Sequence, residues 1–253
     1  MIKIGVVGAT GRTGRFVVEA VLARADLRLA AAIVSPQSKS LGSVVDGTTV
    51  QFSDDLRELA NTNLVIEFST PQVSIRVSEF CAERGIPVLV ATTGHSPDQV
   101  SKLNELGKLV AIGLTSNTSV GAAALTSLAV KAKELLGPGF DIEVLDIHHR
   151  MKKDAPSGTA KSVITPLAYD SDVIFGRPGL RRLGEVGVAA LRGGDVVGDH
   201  TVYFLGDGER IEITHRVSTR AVFGQGAVSL SLKLPGMAPG VYSARDLIGR
   251  SSA

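Results

Sequence analysis

The chain has 253 residues, 44% hydrophobic and 21% charged, the balance of a soluble globular protein long enough for two domains. A net charge of +2 with 4% aromatic residues excludes a nucleic-acid binder built on basic runs or base-stacking platforms. One cysteine, Cys81, excludes an intrachain disulfide, and no signal-peptide pattern or run of about 18 apolar residues marks export or a membrane span, so a cytoplasmic protein without a membrane partner is expected.

"IKIGVVG" (2–8) is apolar throughout and reads as a buried strand, followed by the amphipathic helical pattern "RFVVEAVLAR" (15–24). Further strands are expected at "LRLAAAIV" (27–34), "LVIEFS" (64–69), "IPVLVAT" (86–92) and "LVAIGL" (109–114). Helices are expected between them at 73–84 and 97–107, with Cys81 a small apolar filler in the first of these. Strands that are apolar throughout and separated by helices argue for a parallel sheet covered on both sides.

Between the first strand and the first helix stands "GATGRTG". Glycines at 8, 11 and 14 permit a tight turn and let backbone N–H groups approach a pyrophosphate at the positive end of a helix. Gly8, Ala9, Thr10, Gly11, Arg12 and Thr13 are therefore candidate nucleotide contacts. The second strand ends near Val34, about 20 residues on, where an NAD-binding fold carries an acid for the ribose hydroxyls. Here "VSPQSKS" has no carboxylate before Asp46. An acid would repel a 2′-phosphate, whereas Ser35, Ser38 and Lys39 could bind one, with Arg12 a further candidate. NADPH is expected over NADH.

The polar loops "STP" (69–71), "ATTGH" (91–95) and "TSNTSVG" (115–121) follow strands, at the end where open α/β sheets bind ligands. Their small and hydroxylated residues suit the close approach of a nicotinamide ring. Ala91, Thr92 and Thr93 with Thr115, Ser116, Asn117 and Thr118 are the candidate lining.

"SVGAAALTSLAVKAKELL" (119–136) reads as a longer helix with Ser119 as its N-cap. After "GPG" (137–139) the texture changes: "DIEVLDIHH", "GVAALRGG", "VGDHTVYFL" and "RIEITHRV" are strand-like, and "GDG" (206–208) signals a hairpin turn. Few helices separate these strands, which suggests a mixed or antiparallel sheet in a second domain. "GAVSLSLKL" (226–234) returns to helix. The expected division is a dinucleotide-binding domain, 1–119 completed by 226–253, and a second domain over 120–225.

Inside that second domain lies "HHRMKKDAPSGTA", residues 148–160. Two histidines and two lysines side by side repel one another, so they fit best around an anion. Pro156 stiffens the turn, and Gly158 and Thr159 offer N–H groups at a helix start, an arrangement that binds carboxylate or phosphate. A metal hydrolase built on His148, His149, His200 and His215 is a competing reading. No HExxH or cysteine-rich spacing supports it, and adjacent histidines on a strand point to opposite faces. No metal is expected.

The same string carries a resemblance. The chain resembles the 4-hydroxy-tetrahydrodipicolinate reductase (dihydrodipicolinate reductase) family, whose His-His-x-x-Lys-x-Asp-Ala-Pro-Ser-Gly-Thr-Ala signature stands unbroken at 148–160. "GATGRTG", "FSTP", "TTG", "NTSVG", "RGGDVVGDHTVYF", "GERIEITH" and "RDLIG" extend the resemblance from Ile2 to Gly249. It implies an α/β protein: a Rossmann-like parallel-sheet nucleotide-binding domain, and an α+β domain for substrate binding and oligomerisation. The open mixed sheet of that second domain is implied to build a homotetramer. The implied reaction is hydride transfer from NAD(P)H to a cyclic dicarboxylic imine, a small-molecule step in the diaminopimelate route to lysine.

By motif position, His148 and Lys152 are implied as the catalytic pair that supplies a proton. His149, Gly158 and Thr159 are implied as binders of a substrate carboxylate, and Thr92, Thr93 and Asn117 as part of the cofactor lining. The chain departs from the family pattern at Ala91, in place of the first glycine of Gly-Thr-Thr-Gly, and at Thr118, in place of the phenylalanine of Asn-Phe-Ser. Thr165-Pro166 is expected to cut short the helix after Ala160. Two alternatives stand beside this reading: a same-fold reductase of another cyclic imine or unsaturated acid, and a non-catalytic NADP-binding sensor. A sensor would have no need to keep both His148 and Lys152.

Overall fold

The computed structural model describes residues 1–168, 171–177 and 179–250. The chain divides into two compact units, Met1–Val120 with the segment from Arg220 onward, and Gly121–Thr219. Residues 251–253 of the expected C-terminal segment lie outside the described residues.

The first unit begins with β1 (Ile2–Val7), α1 (Gly14–Leu22), β2 (Leu27–Ile33), β3 (Phe52–Ser53) and β4 (Leu64–Glu67). It continues with α2 (Pro71–Arg84), β5 (Val88–Val90), α3 (Pro97–Gly107) and β6 (Ala111–Leu114). Then come α4 (Val120–Leu136), β7 (Asp141–His148), α5 (Gly158–Leu167), β8 (Val173–Phe175), β9 (Val186–Arg192), β10 (Gly198–Gly206) and β11 (Glu209–Val217). The chain finally re-enters the first unit with α6 (Ala221–Ser231), β12 (Gly240–Tyr242) and α7 (Ala244–Leu247).

Among the described residues, seven strands of the first unit pair in the order β12-β6-β5-β4-β1-β2-β3, every pair parallel. All residues of β4 and β5 are buried, as continuous apolar runs in a covered parallel sheet require. Val77 and Cys81 of α2 and Leu103 and Leu106 of α3 pack with Val65, Val88, Val90 and Ile112 of the sheet. Burial pushes the Cys81 thiol up to about 12, which makes it the inert filler its sequence context implied. No helix among the described residues is long and apolar enough to cross a membrane.

The helix α6 starts five residues before the expected position. Two glycines hid it, because glycine lowers helix propensity by about 1 kcal/mol each and blurs the apolar period. Packing supplies the reason for them. A Cβ on Gly224 would stand 2.4 Å from the backbone carbonyl of Phe16 in α1, and one on Gly226 would stand 2.0 Å from Thr118 O.

In the second unit the sheet order is β11-β10-β7-β9-β8. The pairs β11/β10 and β10/β7 are antiparallel, and β7/β9 and β9/β8 are parallel, so the sheet is mixed. The hairpin between β10 and β11 turns at Asp207-Gly208, with Gly208 at φ +81°. Ile142, Val144, Val186, Val188, Val202 and Phe204 line one face and pack on Leu125 and Ala129 of α4 and Val163, Ile164 and Leu167 of α5. Alternation along β7 places Asp146 and His148 on this same buried face, in line with Ile142 and Val144. The other face presents Leu145, Ile147, Leu191 and Leu205, the last two 52% and 36% exposed.

The helix α5 ends at Leu167, one residue past Pro166, in keeping with the shortening expected at Thr165-Pro166. The proline falls in the last turn, where its missing N–H removes one bond. The neighbouring bonds persist, from Thr165 Oγ1 to Lys161 O at 2.9 Å and from Ala168 N to Ile164 O at 2.8 Å.

Candidate active site

At the end of β1 the N–H groups of Gly8 and Ala9 donate to Ile33 O at 2.8 and 3.0 Å, tying the glycine loop to β2. Gly8 sits at φ +76°, and a Cβ there would be 2.1 Å from Phe68 O. A Cβ on Gly14 would be 1.9 Å from Gly8 O, so only glycine lets the turn close against the start of α1. Thr13 caps α1 without a side-chain bond. The N–H groups of Thr10, Arg12, Thr13 and Gly14 find no acceptor among the described residues. Such donors at the positive end of a helix are what a pyrophosphate needs, so the residues present fit a dinucleotide.

Beyond β2, Ser35 donates to Gln37 Oε1 at 2.5 Å, and Lys39 is exposed in a loop without a carboxylate. The loops after β4, β5 and β6 leave the parallel sheet at the same edge as the glycine loop. Several of their side chains hold the loops themselves. Thr115 Oγ1 donates to Asn117 O at 2.7 Å, Asn117 Oδ1 accepts from Ser119 N at 2.8 Å, and Thr118 Oγ1 donates to Phe223 O at 2.7 Å. Thr93 and Ser116 are exposed, whereas Ala91, Thr92 and Thr118 are buried.

Beneath these loops lies a residue not singled out in the sequence, Glu67, fully buried at the end of β4. Its Oε1 accepts from Ser69 N at 2.7 Å, from Thr92 Oγ1 at 2.9 Å and from the Ser69 hydroxyl, while Oε2 has no partner. Burial pushes this carboxyl above its usual range against the pull of hydrogen bonds from Ser69 and Thr92. An acid closing the apolar run "LVIE" was the readable signal.

In the second unit the string 148–160 folds around another buried carboxylate, Asp146. His148 Nδ1 lies 2.9 Å from Asp146 Oδ1, and His200 Nε2 lies 3.3 Å from the same oxygen. Asp146 Oδ2 accepts from Ser157 N at 2.8 Å and from Arg192 Nη2 at 3.0 Å. Burial pushes the Asp146 carboxyl up, but the His148 and His200 rings and Ser157 outweigh it and hold it well below the usual carboxylate range. The rings of His148 and His200 meet edge to face at 5.2 Å, and His215 stacks on His200 at 6.3 Å. Burial, then the His200 ring, lowers the pKa of His215.

His149 follows the strand, half-buried, and its carbonyl accepts from Lys152 N at 3.0 Å. Lys152 Nζ is 2.9 Å from Asp154 Oδ1, and that ammonium depresses the Asp154 carboxyl. Ser157 caps α5 through Ala160 N at 3.1 Å, which leaves Gly158, exposed, and Thr159 in the first turn. Three of the four histidines considered for a metal thus converge, and His149 stands apart. Ligand atoms of Asp146, His148 and His200 lie within 4.8 Å of one another. The Arg192 guanidinium on the same carboxylate opposes a cation there.

Comparison with known proteins gives consistent matches. Residues 2–118 match the family described as "Dihydrodipicolinate reductase, N-terminus", and residues 121–248 match "Dihydrodipicolinate reductase, C-terminus". The chain is 40% identical over 266 residues to a 4-hydroxy-tetrahydrodipicolinate reductase of Myxococcus xanthus (strain DK1622), covering 98% of each. It is 38% identical over 262 residues to the one of Aquifex aeolicus (strain VF5), covering 98% of this chain and 99% of the other. Its fold is similar to that of a dipicolinate-bound dihydrodipicolinate reductase from Paenisporosarcina sp. TG-14, with a TM-score of 0.82 at 20% identity over 98% of this chain and 99% of that one.

Proposed function

Since this chain belongs to the dihydrodipicolinate reductase family, we propose that it reduces 4-hydroxy-tetrahydrodipicolinate to tetrahydrodipicolinate with NAD(P)H, in the diaminopimelate route to lysine. The observation that carries this reading is the unbroken string 148–160, folded so that His148, Arg192 and the start of α5 all bear on Asp146.

When bound, the nicotinamide nucleotide supplies a hydride. Addition to a conjugated C=C–C=N system pushes negative charge onto nitrogen, and His148 and Lys152 hold the protons that neutralise it. The Lys152 ammonium is paired with Asp154, 2.9 Å away. His149, Gly158 and Thr159 receive a substrate carboxylate, where helix N–H groups and imidazole donors favour an anion. Residues Gly8 to Thr13 carry the pyrophosphate, and Ala91 to Thr93 with Thr115 to Thr118 line the nicotinamide. Ser35 and Lys39, in a loop without a carboxylate, favour the 2′-phosphate of NADPH while leaving NADH usable. The Thr118 side chain is buried and its hydroxyl donates to Phe223 O, so it is turned away from a ligand, which favours the lysine-route substrate over another cyclic imine.

We also read the open face of the second sheet, with Leu145, Ile147, Leu191 and Leu205, as the surface through which four copies associate in the cytoplasm. The decisive assay mixes purified protein, the product of dihydrodipicolinate synthase and NADPH. Substrate-dependent NADPH oxidation is expected. Binding of NADPH without oxidation would support the sensor reading instead.

A further inference from the structure

We propose that Asp146 is a positioning residue of the reduction site, holding the His148 ring, the start of α5 and, through Arg192, the Lys152 loop in one register. The inference rests on the reading of His148 and Lys152 as proton donors. Its basis is how the two carboxylate oxygens divide their partners. Oδ1 faces the imidazoles, with His148 Nδ1 at 2.9 Å and His200 Nε2 at 3.3 Å, contacts of charge and distance that neither ring aligns into a hydrogen bond. Oδ2 faces the loop, with Ser157 N at 2.8 Å and Arg192 Nη2 at 3.0 Å. His148 and Ser157 are the two ends of the segment that bears Lys152, so one buried side chain fixes both ends.

Arg192 extends the connection. Its Nη2 also donates to Asp154 O at 2.7 Å, and the Asp154 carboxylate holds Lys152 Nζ at 2.9 Å. Both proposed proton donors therefore trace back to Asp146. A fully buried carboxylate would normally shed its charge, but a guanidinium and a backbone N–H here compensate it. An anion beside Nδ1 favours the neutral tautomer with its proton on that nitrogen. The other ring nitrogen, Nε2, lies beside Gly198, where an added Cβ would stand 3.0 Å away. Besides Asp146 on β7, the charged or titratable groups around His148 are His200 on β10, with His215 of β11 stacked behind it, and Arg192 on β9.

The test is Asp146→Asn, which keeps the side chain's shape and a carbonyl acceptor for Ser157 N but removes the charge. We expect kcat per folded site to fall roughly a hundredfold, with KM for the substrate little changed. A merely structural role would lower the melting temperature and the yield while leaving kcat of the folded fraction unchanged, and that result would overturn the proposal. A second measurement needs no variant to fold. In the wild-type protein with 15N-labelled histidine, long-range nitrogen–proton NMR should show the neutral His148 ring protonated at Nδ1. The opposite tautomer would overturn the proposal whatever the variant does. Wild-type protein that fails to turn over the substrate yet shows the Nδ1–H ring would refute the reading of the reaction and leave the positioning intact.

Discussion

Glu67→Gln should make the protein relatively more stable as pH rises. Glu67 is fully buried, with three donors on Oε1 and none on Oε2. Glutamine keeps a carbonyl oxygen for Ser69 and Thr92 and never ionises. The sign follows from linkage. A carboxyl whose folded pKa is raised contributes stability that is fully present below its unfolded value, about 4.3, and lost as pH rises through its folded value. The loss can be no steeper than about 1.4 kcal/mol per pH unit for one proton. At about 2–4 °C per kcal/mol for a chain of this size, that is at most roughly 3–6 °C per unit. Melting temperatures of both proteins between pH 4 and 8 supply the assay. The variant's Tm minus that of the wild type should grow with pH above the unfolded carboxylate range. A difference that is flat or shrinks with pH would mean that burial does not raise the carboxyl, and would refute the reasoning. Glu67→Ala is the control: it strands the Ser69 and Thr92 donors, at about 1–3 kcal/mol for each one left buried.

Other consequences concern the chemistry. Lys152→Ala should cut turnover by roughly a hundredfold or more with NADPH affinity almost unchanged, measured by steady-state kinetics beside cofactor-fluorescence titration; a near-normal rate would remove Lys152 from the mechanism. NADPH should bind more tightly than NADH, and Ser35→Glu should reverse the order by adding a ribose acceptor and repelling the 2′-phosphate; a wild-type preference for NADH would overturn the argument from the missing acid. Pyridine-2,6-dicarboxylate should inhibit competitively. Because a charge-assisted bond is worth about 1.5–3 kcal/mol, pyridine-2-carboxylate should bind about tenfold to over a hundredfold more weakly. Equal inhibition by the two would mean that the second carboxylate has no partner, and would favour a different cyclic imine as substrate.

The five strands β1, β2, β4, β5 and β6 and the helices between them were legible in the first unit, because a covered parallel sheet writes its strands as unbroken apolar runs, whereas the short edge strands β3 and β12 left no such run. "LVIE" and "VLV" needed no tertiary information. The misplaced start of α6 has the opposite cause. Gly224 and Gly226 answer to Phe16 and Thr118, residues more than a hundred positions away, and no local propensity anticipates that approach. Pro166 marked the end of α5 to within one residue, since a proline removes a backbone donor that a further turn would need.

The site divided along the same line. Its outward-facing parts, the lysines, His149 and the start of α5, are adjacent in sequence and could be read as one anion-binding string. Its inner part is assembled by register. Asp146 and His200 are partners across β7 and β10, and His148 pairs with Arg192 across β7 and β9, in strands joined only by the fold. One trace of this was available beforehand. In "DIEVLDIHH" the alternation that buries Ile142 and Val144 also buries Asp146, two residues before His148 on the same face. A lone acid in the buried phase of a strand needs a compensating cation, and "ALRGG", a strand-like run ending in Arg192, was the place to look for it. What the sequence could not supply is that this acid also reaches Ser157. That contact closes the segment from the far side, and it makes the spacing between the histidines and the helix start a constraint on the active site as well as on the chain.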